Sequence, residues 1–170
     1  MTATAHALVG GAIAYAVPNP VIGISLAFIS HPLLDMIPHW DAGWGWRSKT
    51  KKRLFTEAVI DCILGLGLAF LLFGGTTPFW YLLACIFASE ALDLMEIPYW
   101  FFRWDFPPFS WIYKFQHNIQ GKAKLPWGVL TQVVTVGLII FLLTSVSVKF
   151  WSNFLDVVFK LTVHIWMLEG

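Results

Sequence analysis

Three long segments of mostly apolar residues restrict the fold of this chain more than any other feature. They cover residues 54–73, 79–102 and 127–148, and each contains about twenty residues. A transmembrane α-helix needs about 20 predominantly apolar residues to cross the hydrocarbon core of a bilayer. The segments therefore predict α-helices that lie in a membrane.

The composition of the whole chain supports the same class of protein. It is 58% hydrophobic and 12% charged, whereas soluble domains are typically about 45–50% apolar and about 25% charged. This leaves too little polar surface to cover a soluble globule, and a net charge of +1 does not attract a polyanion. We exclude soluble, disordered and nucleic-acid-binding proteins. Cys62 and Cys85 lie in apolar runs and predict no disulfide framework.

Further helices complete an all-α, polytopic membrane protein with five or six membrane-embedded helices in a single domain, residues 1–170. Residues 3–17 predict a short or re-entrant helix, because a proline-rich turn follows it, and residues 21–37 predict a second helix. Residues 150–168 carry a polar stripe and predict an amphipathic helix that either spans the membrane or lies in its interface. Small residues in the first helix predict close packing against its neighbours: Ala3, Ala7, Gly10, Gly11 and Ala14.

The basic residues predict how the chain is oriented. Nine of the eleven Lys and Arg residues lie between residues 40 and 54 or between residues 102 and 125. Loops rich in Lys and Arg stay in the cytoplasm, and two predicted spans separate these loops, so both can lie on one side. We therefore expect an integral protein of the cytoplasmic (inner) membrane, with its main loops in the cytoplasm and membrane lipid as a partner. A homo-oligomer is left open.

Histidine and aspartate recur at helical spacing near the end of the second predicted helix. His31, Asp35 and His39 are each four residues apart, which places all three on one helical face. Imidazole and carboxylate together are ligands for Zn²⁺ or a similar divalent ion, with Mn²⁺ or Fe²⁺ as alternatives to Zn²⁺. The predicted ligand set contains the His and Asp residues at one membrane depth: His6, His31, Asp35, His39, Asp93 and His117.

Five carboxylates lie in the predicted spans without a Lys or Arg at the same depth: Glu57, Asp61, Glu90, Asp93 and Glu96. A charged side chain at the bilayer centre costs about 2.5–3.5 kcal/mol, so such residues usually have a partner. A bound cation explains the excess of negative charge, and Glu57, Asp61 or Glu90 is predicted to act as general base. Alternatively, Glu57 and Asp61 pair with basic residues at the interface: Lys51, Lys52 or Arg53.

A short motif near the N-terminus resembles a known family of membrane proteins. It consists of His31-Pro-Leu-Leu-Asp35-Met-Ile-Pro38-His39, preceded by Thr4-Ala-His6 and Gly10. These residues resemble small multi-span proteins of bacterial and archaeal inner membranes, a family described as metal-dependent hydrolases. The H-x3-D-x2-P-H element is also similar to the zinc-binding segment of zinc-dependent phospholipase C. The resemblance implies that His6, His31, Asp35 and His39 bind the metal and that an activated water performs hydrolysis.

The sequence leaves three classes of function open. The leading prediction is a metal-dependent hydrolase that faces the cytoplasm and acts on a lipid-like ester or phosphoester. The second is a non-enzymatic membrane protein that docks a partner or an anionic lipid through the basic run at residues 47–53. The third is a proton- or cation-coupled transporter that uses the acidic residues of the fourth predicted helix.

Overall fold

The computed structural model describes residues 1–145, and these residues form an all-helical fold. The helices are α1 (Ala3–Ala16), α2 (Pro20–Asp35), α3 (Lys51–Phe73), α4 (Phe79–Ile97), α5 (Phe109–Ile119) and α6 (Trp127–Ser145). A 3-10 turn at Trp46–Ser48 and a π-helical turn at Pro98–Phe102 complete the secondary structure. The described residues contain no strand, which confirms the predicted all-helical class.

Two helices are long and apolar enough to cross a membrane, namely α3 and α6. Two shorter apolar helices, α1 and α2, accompany them. The structure therefore supports two candidate spans on length and composition, which is fewer than the five or six embedded helices expected from the sequence. The predicted helix at residues 150–168 lies outside the described residues.

The structure differs from the prediction in the ends of several helices and in the segment between α4 and α6. Helix α2 begins at Pro20, where the Asn19 side chain accepts hydrogen bonds from the first free backbone N–H groups, and it ends at Asp35 rather than at residue 37. The stretch between residues 102 and 125, predicted as a connection between spans, contains the eleven-residue helix α5, which the sequence does not predict. Helix α5 is too short and too polar on one face to form a span.

Helix α1 lies at the centre of the fold, and α2, α3 and α4 pack around it. A methyl group added at Gly10 would lie 2.6 Å from Ser89 Oγ and 2.9 Å from the backbone oxygen of Cys85 on α4. On the other side, a methyl group at Gly65 of α3 would lie 2.9 Å from the Cα atom of Thr4. Small residues thus allow the close helix packing predicted from the sequence. Helices α3 and α4 both pack on α1 and make few contacts with each other, which leaves a cleft between them.

The close approach of α1 to α4 makes Gly10 sensitive to substitution. We expect Gly10→Ala to lower the free energy of unfolding by about 1–3 kcal/mol, because overpacking forces helix α4 to move. Gly67→Ala is the matched control, since its added methyl group meets no atom within 4 Å and Ala favours a helix by roughly 0.5–1 kcal/mol. Thermal unfolding in detergent, followed by tryptophan fluorescence, measures both. Equal midpoints for the two variants would contradict the packing described.

Candidate metal centre

Helices α1, α2 and α4 bring His6, His31 and Asp93 together. The two imidazole rings stack with their centroids 4.0 Å apart and their planes 13° apart, and both rings are fully buried. His31 Nε2 lies 3.5 Å from Asp93 Oδ1. One ligand atom from each of the three residues lies within 4.8 Å of the other two. Imidazole nitrogen and carboxylate oxygen at this separation can hold a metal ion.

Asp35 joins these residues from the last position of α2. Its Oδ1 lies 3.2 Å from His6 Nε2, and its Oδ2 lies 3.4 Å from His31 Nε2. The same carboxylate contacts the amino group of Met1 and lies 3.9 Å from His39 Nε2. With only 3% of its surface exposed, Asp35 is a buried carboxylate shared by several nitrogen groups.

His39 lies next to the same cluster because of a backbone contact that the sequence does not predict. Because α2 ends at Asp35, His39 does not lie on that helix face. Instead its backbone pairs with the segment after α5, with the His39 N–H donating to Gly121 and the Ala123 N–H donating to His39. Burial lowers the pKa of His39 to about 4, so its ring is neutral at pH 7. Its Nδ1 lies 2.7 Å from the Ile37 carbonyl oxygen, which leaves Nε2 facing the cluster.

His31 has an oxygen next to each of its ring nitrogens. Nδ1 lies 2.6 Å from the backbone oxygen of Ser89, and Nε2 lies 2.7 Å from Gln116 Oε1. The orientation of the Gln116 amide follows from its other contacts, because its Nε2 donates to Glu96 at 2.7 Å and to Asp93 at 3.2 Å. A neutral imidazole has one N–H group and can satisfy only one of two acceptors. A second proton or a cation is therefore needed at Nε2 of His31.

Two buried polar atoms beside the cluster have no hydrogen-bond partner among the described residues. They are Nδ1 of His6 and Oε1 of Glu90. A buried polar atom without a partner costs about 1–3 kcal/mol, so native proteins usually supply a partner from protein, water or a ligand. The two unpaired atoms are consistent with a site that binds water, an ion or another ligand.

Helix α5 and its C-cap residue supply two site residues that the sequence does not predict. Besides Gln116, Gln120 lies with its Nε2 3.4 Å from His39 Nε2 and 3.4 Å from Asp41 Oδ2. Gln116 and Gln120 are four residues apart, and Tyr113 lies three residues earlier, while Trp111 and Phe115 are exposed on the other side. This helical spacing of polar residues was the signal that could have revealed the helix.

His117 does not join the metal-binding group, although the sequence predicts it as a ligand. It lies on α5, where its ring stacks on Tyr113 with the centroids 5.6 Å apart. Burial lowers the pKa of His117, and the nearby charges of Lys122 and Arg47 lower it further. His117 lies in the wall of a neighbouring cavity rather than among the metal-binding residues.

Two of the three predicted general bases already have partners. Glu57 forms ion pairs with Lys49 at 2.5 Å and with Arg53 at 2.8 Å. Arg53 is one of the three basic residues that the sequence offers as partners for Glu57.

Asp61 accepts hydrogen bonds from the backbone of Ala3 at 2.7 Å and of Thr4 at 3.1 Å, and from the Thr4 hydroxyl at 2.6 Å. A carboxylate at the first turn of α1 complements the helix dipole. Of the three candidates, Glu90 is the one with an unpaired carboxyl oxygen.

The cluster lies between a polar and an apolar cavity. The polar cavity has a volume of about 370 Å³ and is lined by Asp35, Glu96 and α5 residues. The apolar cavity has a volume of about 560 Å³ and occupies the cleft between α3 and α4. Both cavities share a wall made of Met1, Asp41, Gly43, Asp93 and Trp100. Burial raises the pKa of Asp41 in this wall.

Comparisons with known proteins found no matching family model, curated protein or solved structure. The described residues define the class of protein through their own geometry. It is an all-helical chain with two candidate membrane helices and a buried His6–His31–Asp93 group that can hold a metal ion.

Proposed function

We propose that this protein is a polytopic membrane enzyme, a metal-dependent hydrolase of lipid-like esters or phosphoesters whose site faces the cytoplasm. The observation that carries the proposal is His31, whose two ring nitrogens both face oxygen acceptors inside a cluster of carboxylates. A divalent cation at Nε2 satisfies this geometry and offsets the negative charge of Asp35 and Asp93. The resemblance to membrane-bound metal-dependent hydrolases implies the same reaction.

The outer surface supports a location within the bilayer. Large apolar side chains are exposed on several helices, including Val21 of α2 at 75%, Leu71 of α3 at 79% and Trp127 of α6 at 68%. A soluble protein rarely exposes apolar surface so continuously. We propose that lipid covers these faces, in addition to the two helices that meet the length for a span. The basic loops then lie on the cytoplasmic side.

The proposed metal ligands are His6, His31 and Asp93, with Asp35 and His39 next to them. This mixture of nitrogen and oxygen ligands suits Zn²⁺, and Mn²⁺ or Fe²⁺ are alternatives. When bound, such an ion supplies the activation of water for attack at neutral pH. Hydrogen bonds from the outer ring nitrogens to backbone carbonyl oxygens orient His31 and His39, as is usual for histidines that bind metals.

Glu90 is the proposed general base. It lies three residues before Asp93 on α4, on the same side of the helix, and both residues line the apolar cavity. Glu90 accepts a proton from water while the water oxygen forms a bond to the carbonyl carbon or phosphorus of the substrate. The bond to the alcohol oxygen breaks, and the proton passes from Glu90 to that oxygen. An acid and an alcohol leave the site.

The metal content of the full-length protein tests this function. We expect detergent-purified protein to carry about one divalent ion per chain and to hydrolyse fluorogenic lipid esters or phosphodiesters. Removal of the ion by a chelator should abolish hydrolysis, and Zn²⁺ should restore it. Protein without stoichiometric Zn, Mn or Fe would refute the metal centre. Protein with metal but without hydrolysis of either substrate class would refute the enzymatic part.

A further inference from the structure

We infer that the site binds a single-chain phospholipid-like amphiphile, with its anionic head group in the polar cavity and its acyl chain in the cleft between α3 and α4. As a statement about the substrate it rests on the proposed function. Binding itself can be measured without turnover, so the two can fail separately. The inference depends on three features: the shape and lining of the cleft, the charges at the polar cavity and the position of the cluster between them.

The cleft between α3 and α4 is lined mostly by apolar side chains, together with ionisable residues that include Glu57, Asp61, Glu90 and Asp93. Its apolar side chains come from both helices and from the π-helical turn: Phe55, Val59, Ile63, Leu94, Ile97 and Phe102. Phe55, Ile63 and Phe102 are at least 60% exposed, so the cleft is open along its side. Its volume is about 560 Å³, and ligand pockets typically have volumes of about 300–1,000 Å³. A chain can therefore enter sideways from a bilayer.

Two exposed cationic side chains line the polar cavity. Arg47 and Lys122 are exposed and line it. Arg47 is held in place, because its Nη1 donates to the Tyr113 hydroxyl at 3.3 Å and its guanidinium carbon lies 4.6 Å from the centroid of the Trp46 ring. The hydrogen bond from Arg47 to Tyr113 raises the pKa of Arg47, so the charge persists at any physiological pH. A fixed guanidinium is well suited to a phosphate group.

The same cavity also offers a neutral donor. The indole N–H group of Trp44 is buried and has no hydrogen-bond partner among the described residues, and both Trp44 and Trp100 line the polar cavity. An anionic oxygen satisfies such a donor. Four carboxylates also line this cavity: Asp35, Asp41, Asp93 and Glu96. Asp35 and Glu96 lie deeper than the exposed Arg47 and Lys122, with 3% exposure each.

The cluster lies where the head group and the chain of one molecule would meet. Asp93 lines both cavities and belongs to the group that can hold a metal ion. An amphiphile that fills both cavities therefore places the bonds between its head group and its chain next to the cluster. A free phosphate ion fills one cavity only, and a neutral single-chain lipid leaves the cations unpaired.

Photocrosslinking tests the inference on the full chain in phosphatidylcholine nanodiscs. The probe is a lysophosphatidic acid whose acyl chain carries a diazirine, and the labelled peptides are identified by mass spectrometry. We expect labelling of the cleft faces of α3 and α4 that an excess of unlabelled lysophosphatidic acid removes. Labelling of the exposed α2 face around Val21 and Ile29 reports bulk lipid, is not removed, and provides the background.

Two substitutions and one matched control test the head-group part. Arg47→Gln and Lys122→Gln should each raise the concentration for half-maximal labelling of the cleft by about 10-fold or more, because each removes a charge-assisted contact. Lys124→Gln removes an exposed cation of the same loop that does not line the cavity, and it should leave labelling unchanged. A monoacylglycerol with the same diazirine chain should label the cleft at least about 10-fold less efficiently.

Several results would overturn the inference. They are the absence of competable labelling on α3 and α4, equal labelling by the neutral probe, and labelling that is unchanged when both Arg47 and Lys122 are replaced. Complete displacement of the probe by inorganic phosphate would show that the ligand is a free anion. Protein that lacks metal and activity but shows competable, charge-dependent labelling would uphold the inference and refute the proposed hydrolase.

Discussion

Replacing His31 by Ala is expected to remove the bound ion and to lower hydrolysis by at least about 100-fold, because loss of a direct ligand exceeds the 10–100-fold effect of outer partners. His31 is the residue on which the cluster converges, because it stacks on His6 and faces both Asp35 and Asp93. Elemental analysis of purified protein and turnover of a fluorogenic lipid ester measure the two effects.

The control for His31→Ala is His117→Ala, which should keep its full metal content. The sequence predicts both histidines as ligands, whereas the structure places only His31 in the group. If His31→Ala does not fold, Asp93→Asn takes its place, since the Asp93 side chain is 33% exposed and leaves no cavity when exchanged for Asn. Full metal content in either variant, or equal loss in His117→Ala, would contradict the assignment.

Replacing Glu90 by Gln is expected to lower turnover by about 10²–10⁴-fold while the metal content stays at the wild-type value. The substitution keeps the size of a side chain that is 8% exposed and removes only its ability to accept a proton. A purely structural role of Glu90 would change the unfolding midpoint instead. We therefore measure turnover, metal content and thermal stability on the same preparation.

Glu57→Gln provides the comparison for Glu90→Gln. The Glu57 carboxylate is held by Lys49 and Arg53, so its loss removes one partly buried ion pair and one exposed ion pair, the exposed pair being worth about 0–1 kcal/mol. Turnover should stay close to that of the wild type. Wild-type turnover in Glu90→Gln, or a loss of metal that parallels its loss of turnover, would exclude Glu90 as the base.

The helical class and most of the helix positions follow from local sequence. Apolar runs and the turns that interrupt them predict α3 and α4 from Leu54 and Phe79 onward, and the observed helices begin within three residues of these positions. Helix α5 was missed because its eleven residues carry exposed aromatic side chains on one face and site residues on the other. Its register is stabilised by contacts with α2 and α4 rather than by a run of apolar residues.

The candidate site was predicted only in part for the same reason. The spacing of His31, Asp35 and His39 predicts a common location, and all three do meet around Asp35. The helix ends before His39, however, and a backbone pairing with residues after α5 brings this ring into place. No local pattern contains that contact, because it joins residues about eighty positions apart.

The sequence by itself determined that the chain is helical, that its exterior is apolar, and which residue types could bind a cation, because these properties depend on composition and short-range periodicity. Only the tertiary structure decided which acids already have partners and which do not. Asp61 caps α1 and Glu57 pairs with two basic residues, whereas one carboxyl oxygen of Glu90 has no partner among the described residues, and His6, His31 and Asp93 lie close enough to hold a metal ion. The physical reason is that a charged group finds a partner only within a few ångströms, and these distances depend on how helices pack. The order of residues along one helix does not specify that packing.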